Sequence, residues 1–342
     1  MTPVRVAVAG AGSWGRNHVR TLASLAEAEL AVVCDTSADC RAAMQRQYPS
    51  LLVTGDFDEA LESADAIVIA TPAGAHVPLA LRAIERRKPV LVEKPFALSV
   101  RDAESIAELA ARNDVPVVVG HLLLFHPAVM RIKQLIACGE LGEIMYLYSQ
   151  RVNLGQVRPD ENALWSFGPH DVSVALELLG AEPVRVRALG KSYLQPGIED
   201  VVFMIMEFAS GAMAHVQMSW LDPHKERRLT VVGSEKMVEF NDMEIRDKLK
   251  IYDRGVDRPP EYGSYGESLS IREGDIAIPR IPNLEPLAEE LRHFVAVARG
   301  EAMSRVSAGS GVSVVRVLEA ASQSLAEEGV SVELSSSAAG RT

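Results

Sequence analysis

The sequence predicts an α/β protein in two parts: an N-terminal doubly wound parallel sheet, then a C-terminal α+β domain with a large, mainly antiparallel open sheet. Three observations carry this. Up to about residue 120, near-continuous apolar runs alternate with helical stretches, the pattern of strands covered on both faces by crossover helices. A glycine-rich turn, Gly10 to Gly15, closes the first apolar run. Beyond about residue 122 the rhythm changes to consecutive strand-like runs joined by short Gly/Ser turns, as antiparallel strands are.

The elements follow in order. Val4-Arg-Val-Ala-Val-Ala is the first strand, and a helix is expected from Trp14 to Ala26. Strand Glu29–Cys34, helix Ala38–Tyr48, strand Ala66–Ala70, helix His76–Arg87, strand Pro89–Val92, helix Val100–Asn113 and strand Val115–Val119 complete the alternation. Next come a helix over Ala128–Cys138, strand Glu143–Val152, a polar loop to Asn162 and a helix over Pro169–Leu179. Strands are expected at Val184–Ala188, Val201–Phe208, Ala212–Trp220, Leu229–Val232 and Met237–Phe240, with hairpin turns at Ser210-Gly211 and Gly233-Ser234. The run Val201-Val-Phe-Met-Ile-Met does not alternate with polar residues. Both faces of that sheet are therefore expected to be covered, one by helices and the other by a second subunit or an internal layer. Pro259 to Pro282, rich in Pro, Gly, Tyr and Ser, is expected to be a long irregular loop, and helices resume at Glu285–Ala298 and Gly311–Glu328. The expected division is 1–121, 122–334 and a small polar tail, 335–342.

Composition narrows the function. At 342 residues the chain has the length of about two domains, and 48% hydrophobic with 24% charged residues is ordinary for a packed core. A net charge of −11 without a basic block argues against nucleic acid or an anionic membrane surface as partner. Three cysteines, Cys34, Cys40 and Cys138, without paired spacing argue for a reducing compartment. No charged leader precedes the first strand, and the longest apolar stretch, Val115–Phe125, is too short and interrupted to span a bilayer. The expectation is a cytoplasmic protein.

Chemistry concentrates at the ends of the parallel strands, where ligands bind in such sheets. Gly10-Ala-Gly12-Ser13-Trp14-Gly15 has G-x-G-x-x-G spacing between a strand and a helix, and Asp35 ends the next strand about 20 residues on. This is a dinucleotide site of the Rossmann kind. Gly10 would permit the tight turn, Gly12 close approach of the pyrophosphate, and Gly15 tight helix packing, with backbone N–H groups holding the phosphates. Asp35 would accept from ribose hydroxyls and repel a 2′-phosphate, which favours NAD over NADP, although Arg41 lies near enough to compensate. Thr71-Pro72 ends a later strand with His76 just beyond, and Glu93-Lys94-Pro95 ends the next. Lys94 would be a fixed cation beside the nicotinamide, and Thr71, Pro72, His76 and Glu93 are the remaining cofactor candidates.

Together with Ala70-Thr71-Pro72 and Gly168-Pro169-His170-Asp171, these motifs resemble, in order and spacing, the glucose–fructose oxidoreductase/inositol dehydrogenase family across all but the tail. The resemblance implies that Lys94 and His170 are catalytic, with substrate bound between a dinucleotide domain and a substrate-binding, oligomerising domain. Relatives commonly carry an Asp four residues before the catalytic His, where this chain has Ser166. A second resemblance lies in Arg151-Val-Asn153 through Arg158 to Trp165, and in Ser219 to Lys225. It is to members that oxidise the 3-hydroxyl of UDP-N-acetylglucosamine, or of its uronic acid, before transamination in cell-surface glycan and lipid A synthesis. Substrate candidates on that reading are Arg151, Asn153, Arg158, Trp165 and Lys225 beside Lys94 and His170, Arg and Asn being suited to diphosphate, carboxylate and hydroxyl groups.

Other chemistries find less support. No Cys/His spacing suits zinc, no Tyr-x-x-x-Lys pair supports short-chain dehydrogenase chemistry, and Gly309-Ser-Gly lies outside any nucleophile elbow. No metal site is expected. The reading is an NAD-dependent UDP-sugar 3-dehydrogenase acting as a homo-oligomer, dimer or tetramer, through its C-terminal sheet. Dehydrogenation of a free sugar or inositol is the alternative, and a dinucleotide-sensing regulator without catalysis the more distant one.

Overall fold

The computed structural model describes residues 2–257 and 270–334. It contains two compact units: Met1–Phe125 with Leu284–Glu319, and His126–Asn283 with Ala320–Thr342.

In the first unit, strands β1 (Val4–Ala9), β2 (Ala28–Cys34), β3 (Leu52–Thr54), β4 (Ala66–Ile69), β5 (Val90–Glu93) and β6 (Val117–Gly120) alternate with helices α1 (Gly15–Leu22), α2 (Ala38–Gln47), α3 (Phe57–Ser63), α4 (His76–Glu85) and α5 (Val100–Asn113). The strands form one parallel sheet in the order β3-β2-β1-β4-β5-β6. Its order reverses between β1 and β4, the switch point at which such sheets bind ligands. Valines and isoleucines of β1, β4 and β5 are buried, as both-face coverage demands. Local chemistry sets the helix starts: Ser37 and Ser99 accept from the amides of Cys40 and Asp102, capping α2 and α5. Helix α1 stops at Leu22, four residues short of the expected Ala26; β3 and α3, short and weakly patterned, lie in a stretch with no expected element.

The second unit opens with α6 (Pro127–Ala137), β7 (Ile144–Val152) and α7 (Ala163–Leu179), followed by β8 (Arg185–Lys191), β9 (Val201–Glu207), β10 (Met213–Ser219), β11 (Glu226–Gly233), β12 (Met237–Asn241), β13 (Leu249–Asp257) and β14 (Ser270–Ala277). These eight strands pair antiparallel in two runs, β14-β13-β12-β11-β7 and β10-β9-β8, and β7 joins β10 in parallel. One face is buried under α7: Leu147, Val202, Met204, Met206, Ala214, Val216 and Val231 are closed from solvent. The other face carries Tyr146, Tyr148, Leu189, Phe203 and Met213, all exposed in the single chain.

Two expectations are corrected here. The helix expected from Pro169 starts at Ala163, capped by Asn162, whose side chain accepts from the Trp165 amide. Pro169 lies inside it, so His170 sits about two turns in rather than at its opening. The loop expected over Pro259–Pro282 contains β14, which pairs with β13; residues 258–269 lie outside the described residues, as does the expected tail, 335–342.

Helices α8 (Pro286–Ala298) and α9 (Ala308–Ala326) and strand β15 (Val332–Glu333) complete the chain. Leu287, Leu291 and Phe294 of α8 share a core with Val8, Val19, Leu22 and Val68. That packing returns Leu284–Glu319 to the first unit, where a linear boundary at 121/122 leaves it in the second. Strand β15 adds to the second sheet beside β8.

Candidate active site

The residues singled out by sequence fall in both units. In the first unit they gather at the carboxyl ends of β1, β2, β4 and β5. Gly10 has φ +94°, and an added Cβ there would lie 2.6 Å from the Ala70 carbonyl oxygen. A Cβ on Gly15 would lie 1.9 Å from the Gly10 oxygen, whereas one on Gly12 would meet nothing within 4 Å. The outer two glycines are thus required by the turn's own backbone, and the middle one borders open space where a phosphate can approach. Ser13 and Trp14 are exposed on the same turn. Asp35 follows β2 with its carboxylate fixed by two backbone amides, Ala11 N–H to Oδ2 and Ser37 N–H to Oδ1, each 2.7 Å. Arg41 donates to the carbonyls of Asp35 and Thr36. Its guanidinium is therefore committed to the backbone of the same turn.

At the end of β4, Thr71 buries its Oγ1 without a partner among the described residues, and Pro72 is exposed. His76 is closed from solvent, with Nδ1 2.8 Å from the Pro95 oxygen and Nε2 2.8 Å from the Thr71 oxygen. It links the turn after β4 to the turn after β5. Lys94, half-buried, stands between Glu93 and Pro95. The Glu93 carboxylate accepts from Trp14 Nε1 at 2.6 Å and the Lys94 amide at 3.1 Å, and lies 2.7 Å from His18 Nε2. Burial alone would push the Glu93 carboxyl up. The His18 ring, Trp14 and the Lys94 amide outweigh that and hold it below the usual range.

Two further buried groups lie near Glu93, of which only Glu290 escaped the sequence reading. His121, just beyond β6, is lowered to about 4 by burial, with Lys94 adding to that and Glu93 opposing it; neither ring nitrogen has a partner among the described residues. Glu290 of α8 is wholly closed from solvent, and burial together with the negative charge of Glu93 pushes its carboxyl well up.

The second unit gathers the other candidates on the covered face of its sheet and the adjoining loop. Ser166 and His170 stand one turn apart on α7, so they share a face. Next to His170, the buried Asp171 accepts from Arg151 through both oxygens, at 2.6 and 3.3 Å. Arg151 is thereby anchored to α7, and Arg227 lies directly opposite it in the β11–β7 register. Nothing in the sequence singled out Arg227, because only strand register places it beside Arg151. Trp165 donates its indole N–H to Ser322 at 3.0 Å. The backbone N–H of Asn153 donates to the Ser219 carbonyl oxygen at 3.0 Å. Arg158 pairs with Glu161 at 3.0 Å on the loop, and Lys225 is exposed in the turn before β11. Asp200, also not anticipated, accepts from Trp220 Nε1 and the amides of Tyr193 and Leu194, pinning the loop between β8 and β9.

The first unit therefore fits a dinucleotide: a glycine turn with open space above it, a carboxylate held at the end of β2, and a lysine at the end of β5. Among the described residues no group of three or more His, Cys, Asp or Glu is placed to hold a metal ion, and no helix is long and apolar enough to cross a membrane.

Comparison with known proteins agrees with this geometry. Residues 4–121 match the family model for an oxidoreductase family with an NAD-binding Rossmann fold, and residues 129–239 match the GFO/IDH/MocA C-terminal domain. UDP-N-acetylglucosamine 3-dehydrogenase of Acidithiobacillus ferrooxidans is 28% identical over 332 residues, covering 94% of this chain and 96% of its own. The scyllo-inositol 2-dehydrogenase (NAD(+)) of Bacillus subtilis is 31% identical over 247 residues, 68% of this chain and 72% of its own. Among solved structures, GenD2 from gentamicin A biosynthesis in complex with NAD is 26% identical with a TM-score of 0.82, covering 98% of this chain and 97% of its own.

Proposed function

Because this chain belongs to the GFO/IDH/MocA oxidoreductase family, as an NAD-dependent dehydrogenase of sugar or inositol hydroxyls, we propose that it oxidises the 3-hydroxyl of a UDP-N-acetyl-hexosamine, UDP-GlcNAc or its uronate. The observation that carries the choice is the likeness along 94% of the chain to a UDP-N-acetylglucosamine 3-dehydrogenase. The cations Arg158, Lys225 and Arg227 are chemically suited to a diphosphate or uronate. Asn153 and Trp165 are proposed to meet the sugar. The 3-keto product is what a transaminase needs to install an amine, which fits a place in cell-surface glycan or lipopolysaccharide synthesis in the cytoplasm.

Bound NAD supplies the two-electron acceptor. Asp35 binds the adenosine ribose, and the Gly10–Gly15 turn holds the pyrophosphate. His170 accepts the hydroxyl proton, a task imidazole performs near neutrality. Lys94 donates a hydrogen bond to the reacting oxygen and stabilises the negative charge that develops there. Arg151, anchored by Asp171, keeps β7 and α7 in register beneath His170. The proposed assembly is a homo-oligomer, dimer or tetramer, formed through the exposed face of the nine-stranded sheet.

A second reading, dehydrogenation of a free sugar or inositol, is favoured by the inositol dehydrogenase at 31% identity and by the commitment of Arg151 to Asp171. One experiment separates them. NADH formation is followed with UDP-N-acetylglucosamine, its uronate, free N-acetylglucosamine, and myo- and scyllo-inositol, with UDP as a competitor. The first reading expects turnover with a UDP-sugar and inhibition by UDP. Turnover of free sugar or inositol with no effect of UDP establishes the second.

A further inference from the structure

We propose that Glu93 is a positioning residue that ties the glycine turn to the strand end carrying Lys94, so that cofactor seating and Lys94 placement are set by one buried carboxylate. The inference rests on the role given to Lys94 above. Glu93 points inward from the last position of β5 and is only 5% exposed. Its two oxygens serve different elements: Oε1 meets Trp14 Nε1 at 2.6 Å and His18 Nε2 at 2.7 Å, both at the start of α1, and Oε2 meets the Lys94 amide at 3.1 Å. A Cβ at Gly120, opposite on β6, would come within 3.0 Å of the Glu93 carboxylate, so glycine there leaves the room the side chain occupies.

The other flank of Lys94 is tied as well. His76 bridges the Pro95 oxygen and the Thr71 oxygen at 2.8 Å each. Lys94 thus has an anchored residue on either side, one fastened to the turn after β1 and the other to the turn after β4. The remaining titratable neighbours of Glu93 are His121 beyond β6 and Glu290 of α8. A buried carboxylate is costly unless charged and hydrogen-bonding partners offset it. Among the described residues, every hydrogen bond it makes runs to the glycine turn, its helix, or Lys94. Packing alone calls for no carboxylate at this point.

The experiment uses the full chain with Glu93→Gln, Glu93→Ala, His18→Leu, His18→Gln and Lys94→Ala. His18 is wholly buried, so its replacement acts through Glu93 and not by touching the cofactor. The measurements are NAD dissociation constants, the NMR signal of the Trp14 indole N–H, and kcat and KM, per titrated active site, for whichever sugar the panel identifies. Expected for Glu93→Ala are an upfield-shifted, exchange-exposed Trp14 signal, NAD binding weaker by about tenfold and kcat lower by about a hundredfold, with sugar KM unchanged. His18→Leu should follow in the same direction, and His18→Gln, which keeps a donor, should recover part of both losses. NAD affinity and kcat within about twofold of wild type in the folded Glu93 and His18 variants would overturn the proposal. Should Glu93→Ala fail to fold, the His18 pair decides on the same criteria. A Lys94→Ala protein that retains its kcat removes the catalytic reading of Lys94, and with it the action of Glu93 through Lys94. Loss of kcat there beside normal Glu93 and His18 variants removes this inference alone.

Discussion

At the scale of single residues, Asp35 shows how a local signal becomes a usable one. Two backbone amides fix its carboxylate at the end of β2, so it meets a ribose without reorganising. Asp35→Ala is expected to weaken NAD by about ten- to a hundredfold, the loss of one or two charge-assisted bonds. NADP should suffer less, so the gap between the two narrows; titration of both cofactors checks this, and an unchanged ratio would exclude Asp35 from the ribose. His170→Ala is expected to lower kcat by about 10²- to 10⁴-fold while NAD affinity stays near wild type. A folded variant with normal turnover would leave Lys94 as the sole acid–base candidate. The glycine turn and Asp35 were legible in sequence because their spacing is fixed by one strand–turn–helix unit. The Glu93 contacts were not, since Trp14 and His18 lie 79 and 75 residues away in the chain and only sheet order brings them together. Arg151 illustrates the same limit: its type suggested an anion, and the fold supplies Asp171.

Single elements add constraints that residue types do not reveal. Helix α7 was expected to begin at Pro169, since proline favours a first turn, but Asn162 caps it seven residues earlier and proline is carried inside. Strand β14, Ser270 to Ala277, is polar in pattern and sits at the sheet edge, where only pairing with β13 defines it. On α7, Ser166 stands one turn before His170 without a charge. Ser166→Asp should favour the imidazolium, moving the limb through which rate rises with pH upward by about one pH unit; an unmoved limb means the two side chains are uncoupled. On α8, Glu290 has its folded pKa raised above the ordinary glutamate value near 4.3. The native state therefore holds a proton that the unfolded chain releases, so this stabilisation is complete at acid pH and is lost as pH rises toward the native pKa. Glu290→Gln has no proton to lose. Urea midpoints measured from acid pH upward should show its advantage over wild type growing by about 1.4 kcal/mol per pH unit between the unfolded and the native pKa. Parallel profiles would mean that Glu290 is ionised in the fold.

For the whole molecule, the alternating pattern revealed both kinds of sheet, because apolar periodicity records burial directly. It could not reveal that α8 returns to the first unit, since Leu287, Leu291 and Phe294 mark an apolar stripe but not the surface it meets. The doubly apolar run at Val201–Met206 is the strongest statement the sequence makes about assembly. In the fold its inner residues, Val202, Met204 and Met206, are closed from solvent, while Phe203 remains 45% exposed. Register lines Phe203 up with Leu189 on one side, and Met213 with Tyr146 on the neighbouring strands. Tyr146 and Tyr148 stack with centroids 6.4 Å apart. On the same face, Arg228 Nε and Thr230 Oγ1 are buried without partners among the described residues. Aromatic and apolar side chains clustered on a sheet face, with polar groups left unmatched, are what a partner surface supplies and solvent does not. A second copy of the chain is the proposed partner, because a symmetric pair sets this face against itself. Phe203→Glu together with Tyr148→Glu places like charges on both sides of such a contact, where repulsion and desolvation oppose association. The double variant should sediment as a monomer at concentrations where wild type is a dimer or tetramer, with its NAD affinity preserved because the first unit is untouched. A wild-type chain that sediments as a monomer, or a double variant that keeps the wild-type mass, would rule out this face as the interface.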